Sequence, residues 1–116
     1  MKRFAVVVLA GLLLGGVALA SEIDGAWTFV FQTDGGERML PMTFQVTGRE
    51  VSGTTQGETP VKGTYADNEL LLDFPFYSEE TGISGNLQIR GKHKEGKISG
   101  DWSFVEYSGT FTATKQ

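Results

Sequence analysis

Apolar and polar residues alternate along nearly the whole chain after residue 20. Residues 27–31, Trp-Thr-Phe-Val-Phe, are a clear example of this pattern. A period of two is typical of a β-strand with one buried face, and no later window shows the helical period. Turn signals rich in Gly, Asp and Asn separate about eight such segments. The pattern therefore predicts an all-β fold of about eight antiparallel strands, with no helix after residue 20.

A short motif recurs within these strands: an apolar residue, any residue, then a glycine. Its five copies begin at Val51, Val61, Ile83, Ile98 and Tyr107. In a strand, the glycine lies on the same face as the apolar residue two positions earlier. An inward glycine marks a bend or a close approach of two backbones. Because every connection is short, we expect a single up-and-down barrel. Two sheets with Greek-key connections are the competing architecture.

The two strand faces differ in character. The inner face carries both tryptophans and most phenylalanines, whereas the outer face is rich in Thr, Ser, Gln and charged residues. An outer-membrane barrel would show the reverse arrangement. Pro41 and Pro75 fall inside the second and fifth strands and have no N–H to donate. Each predicts a bulge or a local break in pairing, near which the barrel would be partly open or flattened.

The first twenty residues have the pattern of a secretory signal peptide. Lys2 and Arg3 precede an apolar run over residues 4–14, and residues 18–20, Ala-Leu-Ala, form a cleavage signature. The competing interpretation is an uncleaved membrane anchor, for which the glycine-interrupted run is short. We therefore expect residues 1–20 to be a signal peptide and residues 21–116 to be one secreted or periplasmic domain.

Charge and cysteine content exclude several functions. Removal of Lys2 and Arg3 with the signal peptide would lower the formal net charge from −4 to −6. A nucleic-acid-binding protein needs a basic face, so no nucleic-acid partner is expected. The chain has no cysteine, so it has no disulfide and no cysteine nucleophile, and apolar burial alone must hold it together. Stable membrane insertion after cleavage is not expected either.

The two ends of the domain resemble a known barrel family. Residues 25–29, Gly-Ala-Trp-Thr-Phe, open the first strand, and residues 109–115, Gly-Thr-Phe-Thr-Ala-Thr-Lys, close the last. This pair resembles the Gly-x-Trp start and basic finish of lipocalin and calycin-type barrels. Residues 23–115 are similar to small secreted bacterial lipocalin-like domains. The resemblance implies a barrel that holds a small hydrophobic ligand, closed where Gly25, Trp27 and Lys115 meet.

The interior offers few polar groups to such a ligand. The Tyr65 hydroxyl and the two indole N–H groups are the main inward polar atoms, and a ligand site normally needs a few of these. Our candidate ligand-binding residues are Tyr65, Trp102, Phe44, Phe74 and Phe104. The alternative is that these side chains simply fill the core. The protein would then be a structural or protein-interaction module, such as an inhibitor.

Residues for catalysis are scarce. His93 is the only histidine and lies in a predicted hairpin tip, where we expect it to be exposed to solvent. Glu79 and Glu80 are adjacent on a loop, where paired carboxylates are usually solvated. No constellation of nucleophile, base and acid is evident. We therefore predict no catalytic residue, no metal site, no cofactor and no enzymatic activity.

Alternate loops of an up-and-down barrel lie at the same end, which separates the charges. One end collects acidic residues, namely Asp34, Glu37, Glu58, Glu79, Glu80 and Glu106. The other end is mixed and more basic. By the lipocalin resemblance, the acidic end is the open mouth, where it would attract cations and repel carboxylates. The alternative is that the acidic loops only keep a secreted protein soluble.

Overall fold

A computed structural model describes residues 21–56 and 58–116, which form a closed barrel of eight antiparallel strands. The strands are β1 (Gly25–Thr33), β2 (Gly36–Thr47), β3 (Glu50–Thr55), β4 (Thr59–Ala66), β5 (Glu69–Ser78), β6 (Ile83–Lys94), β7 (Lys97–Phe104) and β8 (Tyr107–Lys115). Each strand pairs with the next in sequence, and β8 pairs with β1. The all-β, up-and-down prediction is confirmed, and the Greek-key alternative is excluded. The predicted signal peptide lies outside the described residues.

β1 and β8 close the barrel at the two motifs that suggested the family resemblance. Trp27 lies opposite Lys115, and Phe31 lies opposite Phe111. The Trp27 side chain is fully buried, and its indole N–H donates to the Ile23 carbonyl at 2.9 Å. The Lys115 ammonium donates to the Glu22 carbonyl, so the end of β8 also contacts the residues just before β1.

Within the described residues, no helix is long and apolar enough to cross a membrane.

The core follows the predicted alternation. The fully buried large side chains come from five strands and from the residues just before β1, and they are Ile23, Trp27, Phe29, Met42, Val51, Leu70, Phe74 and Ile98. Their sequence neighbours on each strand face outward. Burying one such side chain contributes about 1.5–3 kcal/mol, so the packed interior can replace the absent disulfides.

The repeated glycines lie where neighbouring strands approach most closely. A methyl group added at four of them would overlap a carbonyl oxygen of an adjacent strand, whose backbone occupies the space that a side chain needs. The overlapping pairs are Gly53 with the Thr43 carbonyl, Gly63 with the Leu71 carbonyl, Gly100 with the Arg90 carbonyl and Gly109 with the Gln32 carbonyl. The predicted close approach of backbones is therefore confirmed, and it is what allows the sheet to curl tightly.

The prolines correct one expectation. The β1–β2 register runs unbroken through Pro41, and the β5–β6 register runs unbroken through Pro75, so neither residue forms a bulge. On the other side, β2 pairs with β3 only from Met42 onward, and β5 pairs with β4 only as far as Leu72, so both prolines lie in segments that are unpaired on that side. The Pro41 carbonyl accepts a hydrogen bond from the Thr55 hydroxyl, so the proline nitrogen, which points the same way, faces β3 and not β1. The barrel is closed, with pairing interrupted on one side only.

Replacing Gly53 with alanine should destabilise the barrel strongly. The added methyl group would overlap the backbone of β2, which cannot move without breaking its pairing. We expect a loss of about 3 kcal/mol in the free energy of unfolding, measured by urea denaturation. Gly48→Ala is the control, because its methyl group meets open space and costs only the positive φ, about 1 kcal/mol. Equal losses for the two variants would contradict the close-approach account.

Candidate ligand-binding cavity

The barrel is open at the end that carries the acidic loops. There the β1–β2 and β5–β6 hairpins project beyond their neighbours, because residues 36–41 pair only with β1 and residues 73–78 pair only with β6. The hairpin between β3 and β4 is much shorter. We call the gap above it, between the two projecting hairpins, the notch. The barrel wall is therefore high on two sides of this end and low at the notch.

A cavity of about 380 Å³ lies within this open end. Its apolar lining consists of Phe31, Met39, Leu40, Phe76, Leu87, Trp102, Phe104 and Tyr107, and its charged lining consists of Asp34, Arg38, Glu79 and Glu80. The volume falls within the usual range of small-molecule sites, about 300–1,000 Å³. An eight-stranded barrel is just wide enough for one such ligand. The predicted open mouth is thus found at the acidic end.

The aromatic rings of the cavity are held at steep angles to one another. The rings of Phe31 and Trp102 are 6.0 Å apart at 81°, and those of Phe76 and Phe104 are 5.7 Å apart at 86°. These are favourable edge-to-face arrangements. Such packing fixes the orientation of the rings that a ligand would contact.

The Trp102 indole forms a hydrogen bond with a strand that does not neighbour its own. Its N–H donates to the Gln32 carbonyl of β1 at 3.2 Å, although β8 lies between β7 and β1. Gly109 of β8 makes this contact possible, because a side chain there would overlap both the indole and the Gln32 carbonyl. The donor of Trp102 is therefore already engaged, and the indole offers its ring to the cavity.

An ion pair spans the notch. The Arg38 guanidinium donates to both carboxylate oxygens of Glu80, with Nε 2.9 Å from Oε1, and its Nη1 donates to the Glu37 carbonyl. The hydrogen bonds from Arg38 lower the pKa of the Glu80 carboxyl, and the same contact raises the pKa of Arg38. Both side chains are largely exposed, so the pair adds little to stability. The ion pair nevertheless joins the β1–β2 hairpin to the β5–β6 hairpin, which do not pair with each other through their backbones.

The opposite end is closed by residues 21–24, which precede β1. Ile23 is fully buried there, and its carbonyl accepts the hydrogen bond from the Trp27 indole. The Asp24 carboxylate accepts a hydrogen bond from the Val46 N–H at 2.8 Å, and the Lys115 ammonium donates to the Glu22 carbonyl at 3.1 Å. These contacts hold the segment across the barrel, so the cavity opens at the acidic end.

The prediction that His93 is exposed was wrong. Its side chain is only 10% exposed and lies at the closed end, where its ring meets the Trp27 ring edge-on at 5.9 Å. Its Nδ1 lies 3.2 Å from the Tyr65 hydroxyl and 3.8 Å from a Glu22 carboxylate oxygen. The reason is that β6 continues through His93, and the turn consists of residues 95–96 alone.

The candidate residues from the sequence divide between the two ends. Trp102 and Phe104 line the cavity. Phe44 and Phe74 are buried in the core and do not line it, and Tyr65 lies at the closed end beside His93. The sequence analysis missed the other cavity residues, chiefly Phe31, Leu40, Phe76, Leu87 and Tyr107. The sequence did contain an indication of them, because all of these residues lie at inner or rim positions next to the acidic loops.

The chemistry of the cavity suits binding. Its polar lining groups are hydroxyls, an amide, carboxylates and the paired arginine, while the sole histidine of the chain is at the other end. Within residues 21–56 and 58–116, no three potential metal ligands cluster together. The cavity can therefore recognise a ligand by its shape, by apolar contact and by charge.

Comparison with protein-family models finds no match to this chain, and comparison with curated proteins finds no significant match. The eight-stranded antiparallel barrel is consistent with a lipocalin-like fold.

Tyr65 should titrate above the ordinary tyrosine pKa of about 10. Burial disfavours its phenolate, and the nearby Glu22 carboxylate repels that charge, so both raise its pKa. The free energy of unfolding should therefore fall as pH rises from the ordinary pKa to the raised one, because the folded state holds this proton more tightly. The double variant Tyr77→Phe/Tyr107→Phe leaves Tyr65 as the only tyrosine, and ultraviolet absorbance of the phenolate reports its titration.

Glu22→Gln in the same background should lower the pKa of Tyr65 part of the way toward the ordinary tyrosine value. The repulsion from the Glu22 carboxylate is then removed, and only the effect of burial remains. A midpoint at or below that of free tyrosine would contradict the placement of Tyr65 at the closed end.

Proposed function

We propose that this protein is a non-enzymatic, secreted or periplasmic binding protein that takes a small apolar molecule into the open end of its barrel. The observation that carries the proposal is the cavity of about 380 Å³ with aromatic and aliphatic lining. Apolar surface that faces an open cavity is costly to leave in water, so a ligand that covers it gains binding free energy.

The size of the ligand follows from how the rest of the barrel is filled. Four buried rings occupy the interior below the cavity, namely Phe29, Phe44, Phe74 and Phe111. The Phe29 ring packs edge-to-face against Phe44 and stacks on Phe111. Only the upper part of the barrel is left for a ligand. We therefore propose a single compact molecule or one short chain, and not a large lipid.

Assignment to the lipocalin and calycin group is part of this proposal. The Gly25 and Trp27 start and the Lys115 finish meet at the closure of an eight-stranded barrel, as the resemblance implies. The signal-peptide pattern of residues 1–20 supports export.

A second candidate is a structural or protein-interaction module. It is favoured by four exposed apolar side chains near the open end, namely Met39, Tyr77, Val105 and Tyr107. Exposed apolar patches often mark protein interfaces. In that function the cavity residues would support the rim of an interface, and no small molecule would bind.

Filling the cavity should abolish binding of a neutral apolar probe. N-phenyl-1-naphthylamine is uncharged at neutral pH and fluoresces strongly in an apolar site. Leu87→Trp places a larger side chain into the cavity lining, and we expect its affinity for the probe to fall about tenfold or more. Leu71→Trp makes the same change on the outer face, 37% exposed and away from this cavity, and should bind as the natural protein does.

Thermal unfolding of each variant shows whether a loss of binding comes from a filled cavity or from an unfolded protein. Leu87→Phe adds less volume to the cavity and serves as a second filling variant. Failure of the natural protein to bind the probe, together with no shift in its melting temperature across a panel of apolar compounds, would reject the carrier and favour the interaction module.

A further inference from the structure

We infer that the ligand of this cavity is an organic cation: an apolar body that bears a quaternary or protonated ammonium group. The inference rests on the proposed function, since it names the class of molecule that the same cavity takes. Two independent features of the cavity, its aromatic lining and its distribution of charge, point to this class.

Aromatic side chains make up most of the apolar lining. Five of them contribute to one cavity of about 380 Å³, namely Phe31, Phe76, Trp102, Phe104 and Tyr107. The face of an aromatic ring carries partial negative charge and attracts cations, and cages of several rings are the usual means of recognising quaternary ammonium groups. The Trp102 N–H is bonded to the Gln32 carbonyl, so this residue contributes its ring and not a donor for an anion. The lining therefore favours a cation over an anion of the same shape.

The charged residues of the lining also favour a cation over an anion. Arg38 is the only basic residue of the lining, and its guanidinium is occupied by both oxygens of Glu80 and by the Glu37 carbonyl. Asp34 and Glu79 also belong to the lining, at its exposed rim, and their carboxylates form no ion pair within the described part of the chain. The cavity therefore presents two uncompensated negative charges.

A carboxylate ligand would meet two obstacles here. It would have to displace Glu80 from Arg38, and it would then face the charges of Asp34 and Glu79 across the same opening. A neutral ligand would use the apolar contacts alone. Because the rim is in contact with water and salt screens charges within about 10 Å, we expect selectivity among head groups and not an absolute barrier.

A matched series of three amphiphiles tests the inference by isothermal titration calorimetry. Decyltrimethylammonium, decanol and decanoate share one chain length and differ in the charge of the head group. We expect the cation to bind the purified protein tightest and decanoate weakest, with about a fivefold or larger difference in Kd between them at low salt. High salt should reduce this difference and leave the Kd of decanol nearly unchanged.

Two sets of variants assign the selectivity to its sources. Asp34→Asn/Glu79→Gln should reduce the ratio of the decanoate Kd to the cation Kd, while Glu50→Gln/Glu95→Gln, which removes two carboxylates at the opposite end, should not. Tyr107→Leu keeps an apolar side chain but removes one ring, so it should weaken the cation more than decanol.

The outcomes separate this inference from the function on which it rests. Suppose that the protein binds the neutral naphthylamine probe but binds the three amphiphiles equally well, or binds decanoate tightest. The inference of an organic cation would then be overturned, and the proposed carrier function would stand. Absence of binding by the probe and by all three amphiphiles would overturn both.

Discussion

The close approach of neighbouring strand backbones at the inward glycines is the constraint on which the rest of the structure depends. At Gly53 and Gly100, the next strand occupies the volume in which a Cβ would lie. Without these contacts the sheet could not curl tightly enough for eight strands to meet, and β1 and β8 would remain exposed edges prone to aggregation. Closure in turn creates the enclosed interior whose apolar burial stabilises a chain without disulfides.

The open end arises from the same strands by a different means. Residues 36–41 of β2 do not pair with β3, and residues 73–78 of β5 do not pair with β4, so two hairpins continue as separate pairs around the notch. Pro41 and Pro75 lie in these unpaired segments, where a missing N–H costs no hydrogen bond to the neighbouring strand. The cavity lies between the same segments, since Met39, Leu40 and Phe76 line it. The Arg38–Glu80 pair restores one link between the hairpins through side chains alone.

Local sequence properties predicted the fold better than they predicted the site. Alternation fixes which residues face inward, so Trp102 and Phe104 were correctly expected inside the barrel. Alternation does not give the height of a residue along the barrel, which follows from its distance to the loops at each end. Tyr65 was grouped with Trp102 by inward direction alone, although it stands just before the β4–β5 turn and lies at the closed end. His93 was treated as a turn residue, yet continuing the inward alternation of Leu87 and Ile89 would have placed it inside.

The two tryptophans show how stability and binding are divided between the ends. Each indole N–H is satisfied by a backbone carbonyl, but Trp27 is fully buried, whereas Trp102 lines the cavity. Side chains at the closed end are surrounded on all sides, so changes there remove packing that nothing replaces. Side chains of the cavity face open space on one side and can be exchanged at smaller cost. The open end can therefore change its ligand preference while the glycine contacts and the closed end maintain the barrel.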